Sequence, residues 1–202
     1  MRLTSITDLV LDKAHTYESY NELIENLLIE QRTTNEDNSE SNLNYTKLNI
    51  QRTSRWNKRG KIDEELSALL KDISRDQIWL VITEGWCGDS GQVLPFINKM
   101  ASLNNHVDLK FVLRDENPEV MDEFLTNGSR SIPKLIILEK ETKEVLGSWG
   151  PRPLEIQEDY LTKRRNPDYE NKKASEELHL WYARNKGRAI QQDLKKVIKE
   201  IV

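Results

Sequence analysis

A single cysteine, Cys87, stands in 202 residues, which excludes an internal disulfide, and disulfide usage therefore names no compartment. Histidine is nearly as scarce: His15, His106 and His179 are scattered without ligand spacing, so no metal site is expected. There is no glycine-rich phosphate loop and no pair of catalytic acids, and no cofactor is expected. No run approaches the roughly 20 apolar residues of a membrane helix. The first acid arrives at Asp8, too soon for a secretory leader, so a cytoplasmic chain with no membrane partner is expected. Charge of one sign is also lacking, since 34 acids are interspersed with 30 bases, and nucleic acid is not an expected partner. The local exception is Arg52-Thr53-Ser54-Arg55-Trp56-Asn57-Lys58-Arg59-Gly60-Lys61. It reads as a solvated helix end, with stacking of its tryptophan on a base or lipid headgroup as the alternative.

What is present is amphipathic: 32% of residues are charged and 37% apolar, enough for one ordinary domain with terminal additions. Residues 1–76 read as a helical extension. Tyr20, Leu23, Leu27 and Leu28 mark one helix over 16–32, and Tyr45, Leu48, Ile50 and Trp56, then Ile62 to Ile73, mark two more, broken near Gly60. Between them, the polar stretch 33–42 reads as an exposed, mobile loop without function. Residues 77–160 change character. Strand-like runs Ile78–Thr83, Val107–Leu113 and Lys134–Leu138 alternate with helices through Met100 and over 118–127, and Glu144–Trp149 supplies a hairpin partner. This predicts an α/β fold with a mixed central sheet flanked by helices. Trp79 and Trp181 read as core. Residues 161–202 read as a loop and one C-terminal helix packed back on the core or on the N-terminal helices.

Three features of the α/β segment converge. Cys87 lies between the first strand and its helix, where free amides and the helix dipole favour a thiolate. Pro133 follows Ile132 at a strand entry, where a cis bond would offer backbone groups to an extended substrate. Gly150 lies on the same rim, and Arg152, between two prolines, could reach toward an anionic ligand. Asp89, two residues beyond the cysteine, opposes thiolate formation.

Glu84-Gly85-Trp86-Cys87-Gly88-Asp89-Ser90 resembles the active-site turn of the thioredoxin family, with Ser90 where a second cysteine would stand. Arg114-Asp115-Glu116-Asn117-Pro118 resembles the family's acidic loop and Ser131-Ile132-Pro133-Lys134-Leu135 its cis-proline turn, in family order over 77–160. The turn is similar to that of a bacterial subgroup with one active-site cysteine. The resemblance implies a thioredoxin fold with extra terminal helices, a nucleophilic Cys87, and a docking surface at Trp86, Gly88, Asp89, Ile132, Pro133, Gly150 and Arg152. Ser90 cannot resolve a mixed disulfide, although its hydroxyl could donate to the thiolate. Two functions follow as expectations. One is monothiol exchange with a protein or a low-molecular-weight thiol or disulfide, and the other is a redox-silent binding or scaffold module. Pairing of Cys87 with a second copy also stays open.

Overall fold

The computed structural model of the chain describes residues 6–202. Four strands, β1 (Gln77–Thr83), β2 (Val107–Leu113), β3 (Lys134–Glu139) and β4 (Val145–Trp149), form one mixed sheet in the order β2-β1-β3-β4. β1 runs parallel to β2 and antiparallel to β3, and β4 closes the hairpin with β3. Every residue of β1 is buried, as its unbroken apolar run requires for a central strand covered on both faces. The outer edge of β2 is capped at one point, where His15 exchanges two 2.8 Å backbone hydrogen bonds with Phe111.

The two faces are covered unequally. On one face, α1 (Asp8–Asp12) and α6 (Pro118–Asp122) shield Ile78, Leu80, Ile82, Ile136 and Leu138. The other face carries α2 (Tyr17–Ile29), α3 (Glu40–Arg59), α4 (Glu64–Lys71), α5 (Ser90–Ala101), α7 (Leu154–Arg165), α8 (Asn171–Asn185) and α9 (Arg188–Lys199). Both terminal additions therefore share the core formed by Trp79, Val81, Phe111 and Leu135.

Several expectations change. The single C-terminal helix is two helices, because Lys186 and Gly187 both take left-handed backbone conformations, at φ 56° and 80°. A Cβ on Gly187 would also stand 2.3 Å from the Phe96 ring, so the break is a place only glycine fits. The short helix after Pro118 ends at Asp122 rather than Asn127. Trp79 is fully buried but Trp181 only partly so. On α3 the buried face is Thr46, Asn49 and Trp56, whereas Leu48 is exposed. That polar face and the 33–38 segment both lead to the cysteine.

Candidate functional site

Cys87 lies in the turn between β1 and α5, three residues ahead of the first helical residue, Ser90. It is buried although it lies in an irregular turn. Ile132 is buried too, and the Ile132–Pro133 bond is cis. The carbonyl of Ile132 accepts the Cys87 thiol hydrogen at 3.3 Å. Burial, and then the charge of Asp89, push this thiol up to about 11, against the pull of Ser90 and the amides at the helix start. The helix-end effect expected from the sequence is present, and desolvation outweighs it. The Ser90 hydroxyl oxygen accepts a 2.8 Å hydrogen bond from the Thr83 hydroxyl.

Arg152 does reach a carboxylate across the rim, and that carboxylate is Asp89's. Its Nη2 and Nε donate to Asp89 Oδ2 at 2.7 and 3.2 Å. Both side chains are nearly buried, so the cation is committed inside the fold rather than presented to a ligand. Burial alone would lower the Arg152 guanidinium, but the charge and hydrogen bonds of Asp89 outweigh it and raise it. The Tyr182 hydroxyl donates to Asp89 Oδ1 at 2.7 Å, and Arg152 also donates to Gln157 and stacks on Tyr160. Gly150, at φ 124°, lies so close to Pro133 that a Cβ would be 2.2 Å from the proline's carbonyl oxygen.

The other end of the turn is held from the segment that read as a functionless loop. Thr33 and Thr34 are buried. The Thr34 hydroxyl donates to the Glu84 carboxyl and accepts the Gly85 amide hydrogen at 3.1 Å. The Asp115 amide donates to Glu84 Oε1 at 3.0 Å. Burial pushes the Glu84 carboxyl up to about 7, outweighing its hydrogen bonds and the charge of Arg114. Arg114 pairs with Asp115 at 2.7 Å and lies over the Trp86 ring, so the acidic loop braces the turn.

From α3, the Asn49 side-chain amide donates to the carbonyls of Gly85 and Cys87, each at 2.9 Å. These bonds satisfy buried backbone acceptors that the irregular turn leaves open. Sequence reasoning missed Thr34, Asn49, Glu84 and His179 as site residues. The one available signal was an asparagine inside a helical stretch, where it lowers helix propensity. The half-buried Trp86, with Cys87, Gly88 and Asp89, lines a cleft of about 220 Å³ completed by Asn42, Tyr45, Tyr160, Ser175, Leu178 and His179. Among the described residues no His/Cys/Asp/Glu group could hold a metal ion, and no helix is long and apolar enough to cross a membrane.

A family model described as thioredoxin matches residues 35–173. The fold is similar to a protein of unknown function from Pseudomonas aeruginosa, at TM-score 0.63 and 16% identity, covering 99% of this chain and 100% of that one. It is also similar to an HIV epitope-scaffold, at TM-score 0.59 and 15% identity, covering 96% and 98%. No curated protein sequence matches the chain.

Proposed function

For a chain that belongs to the thioredoxin family, we propose that this member is a thioredoxin-fold binding module whose Cys87 rests as a protonated thiol beside a small cleft. The observation that carries this reading is the commitment of the turn's reactive groups to internal partners. The thiol hydrogen goes to Ile132, Ser90 accepts from Thr83, and Asp89 is paired with Arg152 and Tyr182. A thiol held near 11 is ionised in only about one molecule in ten thousand at pH 7, too few for rapid exchange. Trp86 and Gly88 offer the contact surface. Ile132, Pro133, Gly150, Asp89 and Arg152 keep that surface in shape.

The second reading is monothiol exchange in a cytoplasmic setting, with a protein or a low-molecular-weight thiol or disulfide as partner. It is favoured by one observation, that Cys87 itself lines the cleft. In that reaction the Cys87 thiolate attacks a disulfide sulfur, a mixed disulfide forms and the partner's other thiol departs. An external thiol must then release the adduct, because Ser90 has no sulfur.

Ser90→Cys separates the two. The binding reading predicts a folded protein in which the introduced thiol gives no reductase turnover with a thiol electron donor. Formation of a disulfide between Cys87 and the introduced thiol, with turnover, would put monothiol exchange first.

A further inference from the structure

The basic stretch near residue 52 lies on α3, and two of its arginines are left without an acid. Arg52 and Arg55, one helical turn apart, make no ion pair among the described residues. Arg52 donates from Nη1 to Asn49 Oδ1 at 2.7 Å. Arg55 lies over the Trp56 ring, with its Nε and Nη2 buried and without an acceptor. The indole Nε1 of Trp86, on the cleft wall, is likewise buried without a partner. The acid whose charge reaches Arg52, Asp89, is itself paired with Arg152.

Gly88 locates where one of these donors, Arg52, meets His179. A Cβ there would stand 2.9 Å from His179 Nε2 and 3.6 Å from Arg52 Nη1, so imidazole and guanidinium both approach Gly88, which lines the cleft. The tautomer follows from a chain of bonds. Gln92 Oε1 accepts the Trp56 indole hydrogen at 2.6 Å, which turns the Gln92 amide nitrogen toward His179 Nδ1 at 3.3 Å. Burial, with the charge of Arg52, lowers His179 to about 4, so the ring is neutral and its one hydrogen is on Nε2, toward Gly88. The region beside Gly88 therefore gathers an N–H donor and a full positive charge; Asn49 Oδ1 takes one Arg52 hydrogen, and no carboxylate pairs with that guanidinium among the described residues.

We propose that this cleft binds a small oxyanion, a carboxylate or a phosphate, on Arg52 and the His179 Nε2 hydrogen, directly beside Cys87. The assignment deepens the binding reading above and rests on it. A volume of about 220 Å³ is below the roughly 300 Å³ at which whole-ligand pockets begin, so it takes a small anion.

Cys87 serves as its own probe, because every thiol label on this chain reports that one position. The folded full chain is treated with three methanethiosulfonates of similar size, carrying a sulfonate, a trimethylammonium or no charge. In each case the thiolate attacks sulfur, a disulfide forms and a sulfinate departs. At low salt the sulfonate reagent is expected to label several-fold faster than the cationic one. The preference should shrink in Arg52→Gln and at high salt. His179→Leu, which removes the other donor, provides the second comparison if Arg52→Gln fails to fold. Protection from the neutral reagent by succinate or by inorganic phosphate identifies the type of oxyanion. Equal or cation-favoured labelling, or protection by neither anion at tens of millimolar, overturns the oxyanion site and leaves the binding reading standing. No labelling by any reagent in the folded chain likewise overturns an oxyanion site beside a reachable Cys87 and leaves the binding reading standing, whereas rapid labelling by all three alike at pH 7 overturns both, since the thiol is then not held protonated.

Discussion

Glu84 and Asp89 bracket the Cys87 turn, and the fold buries both carboxyls in opposite ways. Glu84 makes no ion pair among the described residues; a hydroxyl from Thr34 and an amide from Asp115 hold it, and desolvation raises its proton affinity. Asp89 receives the Arg152 guanidinium and the Tyr182 hydroxyl. A buried carboxyl is tolerated either by keeping its proton or by acquiring a counter-charge, and this turn uses one solution at each end. The partners also come from opposite ends of the chain. Thr34 belongs to the N-terminal addition and Tyr182 to α8, so both terminal additions clamp the turn.

Removing the counter-charge should have the largest effect. Arg152→Met leaves Asp89 buried with only the tyrosine, and loss of one partner of a buried pair costs about 3–5 kcal/mol. In denaturant unfolding, Arg152→Met is expected to lose that amount, and adding Asp89→Asn should recover part of it. Unchanged stability would mean that the pair contributes nothing to the fold.

The Glu84 end should respond to pH instead, with a smaller effect. Its carboxyl is raised from 4.5 to about 7, so over that interval the folded state holds a proton that the unfolded state has released. Stability contributed by Glu84 is therefore full below about 4.5 and falls by up to about 3 kcal/mol as pH rises to about 7. His179, lowered from 6.5 to about 4, works the other way: its contribution rises with pH between those values. The difference in melting temperature between the native chain and Glu84→Gln should thus slope with pH. A flat difference would contradict the raised Glu84 carboxyl.

The same contrast explains what could be read in the sequence. β1 was legible because Ile78 to Ile82 form an unbroken apolar run, which has no other good place in a sheet. The Trp86-Cys87-Gly88-Asp89 turn and the order of its supporting segments were legible as a motif. Thr34 and Asn49 were not, because each acts through one hydrogen-bonding atom and a polar side chain leaves no periodic trace. Arg152 was legible as a cation on the rim, but its partner lies 63 residues away and only the fold supplies it. Tyr182 counted as an apolar residue on a helix face, while its hydroxyl donates a hydrogen bond to Asp89. The break at Lys186 and Gly187 hid inside a charged helical pattern that one glycine does not visibly interrupt.

The central claim is that Cys87 rests as a protonated thiol, and its alkylation rate against pH tests that most directly. Iodoacetamide modification of the native chain, followed by mass spectrometry at Cys87, should remain slow at pH 7 and still climb about tenfold per pH unit above 9, toward a midpoint near 11. A rate that is already high at pH 7 and level by pH 8 would mean a thiolate at rest, and would contradict the account.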